Sequence, residues 1–119
     1  MIKKLCPLKV NIIVDIDVPF EFKKKLSYVF NTIVDTLYST IGKKYYKDYF
    51  KICANRIRYD SINIYKFKHD NIESFTELVK ETLDNLTKIE YTDNNTKEPE
   101  IVYVDYLVEF NNSNNYFIY

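Results

Sequence analysis

The chain has 119 residues, with 17 Lys and Arg balancing 17 Asp and Glu, so its formal net charge is zero. This length predicts a single domain over residues 1–119, with a core large enough to fold without disulfides or a metal. No apolar run approaches the ~18 residues of a membrane span, no signal peptide is recognisable, and a single glycine excludes Gly-rich phosphate loops. We therefore expect a cytoplasmic protein without membrane attachment.

The zero net charge conceals an uneven distribution along the chain. Residues 1–58 hold twelve Lys and Arg and five Asp and Glu, whereas residues 59–119 hold five Lys and twelve Asp and Glu. Such a chain favours charge-steered association with a partner or with a second copy. The composition is poor in Ala, Gly and Arg and rich in Lys, Ile, Asn and Tyr, which is typical of an AT-biased genome. We therefore expect a viral, phage or mobile-element protein.

The first predicted elements are a strand and a long helix. Residues 8–17 are β-branched and partly alternate with polar residues, which predicts a strand. Pro19 is suited to the first turn of a helix, because its missing N–H would be unsatisfied there in any case. Apolar residues then recur at steps of three and four as far as Ile41, and Gly42 is expected to end the helix as its C′ glycine.

Residues 43–58 fit two structures. Tyr45, Tyr49, Cys53 and Ile57 fall at steps of four, with lysines on the other side, so a second helix is the preferred prediction. A strand followed by a tight turn at residues 60–61 is the alternative.

The second half of the chain predicts a strand, a helix and two further strands. Residues 61–68 alternate like a strand, and Asp70 with Glu73 forms a capping box that opens a third helix extending to Ile89. Residues 92–100 predict a polar loop, and residues 101–110 a strand. One face of that strand is apolar, formed by Val102, Val104, Tyr106, Val108 and Phe110. Residues 111–114 predict a turn and residues 115–119 a short closing strand.

The predicted order of elements is therefore β-α-α-β-α-β-β. Right-handed crossovers would place three helices on one face of a small mixed sheet of about four strands. The expected fold is a two-layer α/β sandwich of the α+β class. If residues 50–58 form a strand instead, the order becomes β-α-β-β-α-β, the ferredoxin-like arrangement. Either sheet keeps an exposed edge, which favours a homodimer.

Two charged helix faces are the candidate partner-binding surfaces. The second helix would carry a basic face, and the third helix an acidic stripe at steps of three and four. Fields of opposite sign favour binding of a protein partner. The leading hypothesis is thus a non-enzymatic interaction protein, such as an inhibitor, an immunity factor or an assembly subunit. The candidate residues are Lys44, Lys47, Lys51, Arg58, Glu73, Glu77, Glu81 and Asp84.

Nucleic-acid binding is the first alternative. Residues 43–58 interleave cations with tyrosines, the residue types that neutralise phosphates and stack on bases in single-stranded nucleic-acid binders. Helical spacing, however, would point the tyrosines towards the core and the lysines towards solvent. That separation, together with a neutral chain, favours an ordinary solvated face.

A magnesium-dependent enzyme is the second alternative. Asp15 and Asp17 follow an apolar strand, where carboxylates often bind Mg²⁺, and Asp105 on a later strand would add a third carboxylate. Over residues 12–19 this pattern resembles the first motif of the haloacid-dehalogenase phosphatases, from which Pro19 departs. The competing interpretation is a pair of aspartates that end the strand, with no catalytic residue and no cofactor. One histidine, His69, and two distant cysteines are too few to predict a zinc site within one chain.

Overall fold

A computed structural model describes residues 2–4, 8–14, 23–46, 49–67, 72–92, 97–110 and 116–118. They form two helices and seven strands. In chain order the elements are β1 (Ile2–Lys4), β2 (Leu8–Val14), α1 (Lys23–Gly42), β3 (Phe50–Ala54), β4 (Ser61–Lys66), α2 (Ile72–Asp84), β5 (Lys88–Thr92), β6 (Pro99–Phe110) and β7 (Tyr116–Ile118). The expectation of a mixed α and β fold is confirmed. Neither helix is long and apolar enough, over the described residues, to cross a membrane.

Five strands form a curled antiparallel sheet in the order β3-β4-β2-β6-β5. β2 is the central strand and pairs along its whole length with β6, from Leu8 opposite Phe110 to Val14 opposite Val104. β3 and β5 are the edge strands. β1 and β7 pair with each other as a separate two-stranded ribbon, with Lys3 opposite Phe117.

One face of the sheet is apolar and is covered by both helices. Residues directly opposite each other in an antiparallel ladder point to the same face, and Val10 lies opposite Ile62 on β4 and Val108 on β6. This row and its neighbours belong to the same buried core as the apolar stripes of the helices. The largest fully buried side chains are Phe30, Phe75, Leu8, Ile33, Leu37, Ile41, Ile62, Ile64 and Leu83.

Aromatic contacts join the helices to neighbouring loops, and a polar contact joins the end of α2 to the sheet. Phe30 of α1 packs edge-to-face on Tyr59, with ring centroids 5.5 Å apart, and Phe75 of α2 packs on Tyr45 at 5.2 Å. The Tyr106 hydroxyl of β6 donates a 2.7 Å hydrogen bond to the Leu86 carbonyl, just after α2. Burial raises the pKa of this hydroxyl, because the phenolate would lose its hydration.

The prediction of three helices on a four-stranded mixed sheet is wrong. The described part of residues 43–58 forms no second helix: the chain turns after Gly42, forms β3 and continues into the loop before β4. Phe50 and Ile52 alternate towards the core with a period of two, and β3 is too short for this pattern to outweigh the fourfold spacing of the tyrosines. The ferredoxin-like alternative is also inadequate, because its six elements leave no place for β5.

The prediction for the second half of the chain is wrong at one further point. The third predicted helix ends at Asp84 rather than at Ile89, and Ile89 instead lies opposite Val102 in β5. The run Lys88–Thr92 is rich in β-branched and aromatic residues, which fit a pleated surface better than a helix. Asp70 of the predicted capping box lies outside the described residues, as does the turn at 111–114.

Gly42 was also assigned the wrong role. It is the last residue of α1 rather than a residue beyond it, and its φ is not positive. The chain reverses instead through ordinary hydrogen bonds, in which the amides of Lys44 and Tyr45 both donate to the Ile41 carbonyl at 3.0 and 2.9 Å.

Candidate functional site

The predicted basic residues do not share a helix face. Lys44 lies in the turn after α1, Lys51 lies on the edge strand β3, and Arg58 lies in the loop between β3 and β4. Lys47 lies outside the described residues. The prediction of a basic helix face is therefore wrong, because the helix that would present it does not form.

The acidic stripe, defined as Glu73, Glu77, Glu81 and Asp84, lies on α2, and all four side chains are exposed. One of the basic candidates, Lys44, lies near this acidic stripe. Lys44 and Glu81 line the same groove of about 320 Å³ between the two helices. The structure thus brings one basic and one acidic candidate together instead of placing them on opposite surfaces.

Charge is segregated across the sheet rather than between helices. The basic edge is defined as the exposed cations of β3, of the loop after it and of the turn after α1: Lys51, Arg56, Arg58, Lys43 and Lys44. The acidic edge consists of exposed carboxylates on β5, β6 and the residues just before β6: Glu90, Glu98, Glu100, Asp105 and Glu109. Among the described residues, Asp60 lies within the basic edge, and Lys88 and Lys97 lie within the acidic edge, where the Lys25 ammonium of α1 also pairs with Glu100. The lengthwise charge imbalance therefore becomes a gradient along the strand order.

A groove lined by tyrosines opens at the basic edge, between the C-terminal half of α1 and β3. Its volume is about 830 Å³. The Tyr38 ring tilts against Phe50 at 6.1 Å, and its hydroxyl donates a 3.2 Å hydrogen bond to the Ile52 carbonyl of the edge strand. Tyr46 is 75% exposed and meets Tyr49 edge-to-face at 5.6 Å. This tyrosine groove is lined by Asp35, Tyr38, Ser39, Gly42, Tyr45, Tyr46, Phe50 and Lys51.

The tyrosine groove combines residues that sequence reasoning separated. A helix over residues 43–58 would have turned tyrosines and lysines in different directions, whereas the observed turn exposes Tyr46 and places Lys51 in the same groove. The contribution of α1 was missed altogether. Asp35, Tyr38 and Gly42 recur at steps of three and four on the side of α1 away from its apolar stripe, a periodicity visible in the sequence.

The second face of the sheet, here called the open face, carries an apolar patch. Ile13, Ile101, Tyr103 and Leu107 point to this face, and each is more than half exposed. No described helix covers them. Ile13 lies opposite Asp105, and Leu107 lies opposite Asn11. Sequence reasoning assigned only one apolar face to residues 101–110, although Ile101, Tyr103 and Leu107 make the other face apolar as well.

Charged side chains of both signs surround the apolar patch. Lys9 lies opposite Glu109 across β2 and β6, and Lys88 lies opposite Tyr103, with its ammonium 5.8 Å from the ring centroid. The charged residues on this face are Lys9, Lys51, Lys88, Glu90, Asp105 and Glu109. The open face therefore carries a largely apolar patch, interrupted by Asp105, and equal numbers of cations and carboxylates.

The loop between β3 and β4 ends in an apolar tip. The Asn55 side chain accepts hydrogen bonds from the amides of Ile57 and Arg58, both at 3.1 Å, and Tyr59 takes a positive φ of 55°. This geometry leaves Ile57 91% exposed. Arg56 is held back against α1, where its guanidinium donates to the Asn31 side-chain oxygen.

The residues proposed for metal or nucleophile chemistry gain no support. Asp15, Asp17 and His69 lie outside the described residues, and Asp105 is exposed on the open face. The described part of the chain contains no cluster of three His, Cys, Asp or Glu side chains that would hold a metal. Cys53 is a half-buried free thiol on β3.

No family model, curated protein or solved structure matches this chain. The candidate surfaces therefore have to be judged on their own geometry.

Proposed function

We propose that this chain is a non-enzymatic interaction protein of the cytoplasm and that the open face of its sheet is its binding surface. The first occupant of that surface is a second copy of the chain. The observation that carries the proposal is the apolar patch of four large side chains, each more than half exposed on one sheet face. The viral, phage or mobile-element origin expected from composition stays part of the proposal, and self-association favours an assembly subunit over an inhibitor or immunity factor.

The apolar patch supports association because its members lie near one another on two adjacent strands, with Asp105 between Tyr103 and Leu107. Ile101 and Tyr103 are alternate residues of β6, Leu107 lies further along the same strand face, and Ile13 lies on the neighbouring strand β2. Scattered exposed apolar residues are normal on a protein surface, whereas a contiguous patch with a polar rim is typical of an interaction site.

The charge pattern favours a second copy over a partner of one sign. Lys9, Lys51 and Lys88 balance Glu90, Asp105 and Glu109, so two such faces do not repel each other overall. In a two-fold dimer the same patch serves both subunits, and self-complementarity is then required. An exclusively acidic or basic partner would find equal numbers of like and opposite charges.

The size of the open face sets the extent of the contact. Five strands spaced by about 4.8 Å, with a β2 of about 23 Å, give a flat footprint of roughly 500 Å². A standard interface buries about 800 Å² of accessible surface on each partner. Most of the open face therefore has to be engaged, and a single substitution at its centre should disrupt the contact.

Sedimentation equilibrium of wild type and Leu107→Lys tests this proposal. Wild type is expected to show a concentration-dependent monomer–dimer equilibrium, and Leu107→Lys to remain monomeric because it brings two like charges into a symmetric interface. Ile57→Lys is the matched control: it makes a similar apolar-to-cation change at the exposed loop tip and should dimerise like wild type. A wild type that stays monomeric at every concentration, or equal loss in both variants, would overturn the proposal.

A further inference from the structure

We propose that the tyrosine groove at the basic edge binds single-stranded nucleic acid, with bases stacking on exposed tyrosine rings and phosphates pairing with the adjacent lysines. This site is separate from the apolar patch of the open face. The inference depends on the arrangement of residues 43–46 and 49–51 around α1 rather than on the proposed self-association.

The aromatic half of the site is formed by Tyr46 and Tyr38. Tyr46 exposes three quarters of its surface, so most of its ring is accessible although Tyr49 packs against it with an interplanar angle of 85°. Tyr38 exposes 45% of its surface while its hydroxyl is fixed on the Ile52 carbonyl. A fixed and exposed ring loses little side-chain entropy when a base stacks on it, and stacking tolerates any base.

The cationic half of the site lies within the same segment. Lys43 and Lys44 are exposed in the turn that immediately precedes the groove residue Tyr45, and Lys51 lines the groove itself. The groove wall itself carries one cation, Lys51, and one carboxylate, Asp35. The exposed Lys43 and Lys44 beside it make the described surroundings net positive, and Lys44 also lines the second groove with Glu81. A net positive surface beside exposed rings suits an anionic ligand with flat apolar faces.

The main competing ligand is a proline-rich peptide. Such peptides bind aromatic-lined grooves, often with a basic residue paired to a carboxylate such as Asp35. The surrounding lysines disfavour a basic peptide, so the charge balance favours nucleic acid. The two ligands also respond oppositely to Asp35→Asn, which removes a repulsion for phosphate but a pairing partner for a basic peptide.

Fluorescence anisotropy with labelled single-stranded DNA and RNA of about 12 nucleotides tests the inference at low and moderate salt. Wild type is expected to bind one or both oligonucleotides, with affinity falling as salt increases. Tyr46→Ala should weaken binding about tenfold or more, while Tyr46→Phe, which keeps the ring, should bind like wild type. Asp35→Asn should strengthen binding.

Matched variants separate the site from general effects. Tyr28→Ala removes another half-exposed ring with an edge-to-face partner, 5.4 Å away, at the opposite end of α1, and should not change binding. Lys43→Ala/Lys44→Ala should lower the salt dependence, whereas Lys24→Ala/Lys80→Ala, with the same net charge, should leave it near wild type. Absence of binding to both oligonucleotides, equal losses in test and control variants, or binding of a proline-rich peptide in their place would overturn the inference.

Discussion

The two faces of the five-stranded sheet are built from the same strands but differ in their exposure to solvent. On the covered face, residues such as Val10 and Val104 are almost completely removed from water by α1 and α2. On the open face, Ile101, Tyr103 and Leu107 alternate with those core residues along β6 yet remain more than half exposed. Burial on the first face is completed within the chain, whereas the second face stays exposed. Under the proposed self-association, β6 would contribute to both folding and association.

The largest expected effect is on the covered face. Phe75 is fully buried and packs edge-to-face on Tyr45, so Phe75→Ala should lower the free energy of unfolding by about 3–5 kcal/mol. Urea unfolding followed by circular dichroism measures this change. A loss below about 1 kcal/mol would mean that the helix layer does not form the core.

A medium effect is expected where the helix layer is attached to the sheet. Tyr106→Phe removes the hydrogen bond to the Leu86 carbonyl and should cost about 1 kcal/mol near neutral pH. Urea unfolding near neutral pH measures this loss, and the same titration above about pH 10 measures its pH dependence.

The pH dependence of this variant has a definite sign. Burial raises the pKa of the Tyr106 hydroxyl above its ordinary value of 10.0, so the unfolded chain releases this proton at lower pH than the folded chain. Its contribution to stability is complete below about pH 10 and is lost as the pH rises further. Tyr106→Phe should therefore lose less stability than wild type under alkaline conditions. An identical alkaline decline in the two proteins would contradict the burial of this hydroxyl.

The smallest effect is expected on the open face. Leu107→Thr introduces a β-branched residue, which suits a strand, and removes apolar surface that the monomer already exposes. At concentrations where the protein is monomeric, its free energy of unfolding should stay within about 0.5 kcal/mol of wild type. A loss comparable to that of Phe75→Ala would show that the open face is part of the core, and would remove the distinction between the two faces.

The sequence predicts the long elements of this fold but not the edges of its sheet. Strands within residues 8–17, 61–68 and 101–110 and the helix ending near Gly42 were correctly located, since each has a sustained apolar period. The edge strands β3 and β5 have five residues each. Over so few positions, accidental fourfold spacing and a helix extended by one turn fit as well as the true strands.

The candidate surfaces show the same difference between long periodic elements, which the sequence predicts, and short ones, which it does not. The acidic stripe of α2 was predicted because a helix repeats its exposed face over several turns. The true positions of the basic residues were not predicted, because these residues are distributed over a turn, an edge strand and a loop. The tyrosine groove joins Asp35 and Tyr38 of α1 to Lys51 of β3, residues that only the tertiary fold brings together.

The proposal that the open face is an interface is tested most directly by two-dimensional NMR spectra of the full chain over a dilution series. Association through this face predicts concentration-dependent chemical shifts at Ile13, Ile101, Tyr103 and Leu107, while Val10, Ile62 and the tyrosine groove stay unchanged. Shifts confined to the helix layer, or spectra that do not depend on concentration at all, would contradict it.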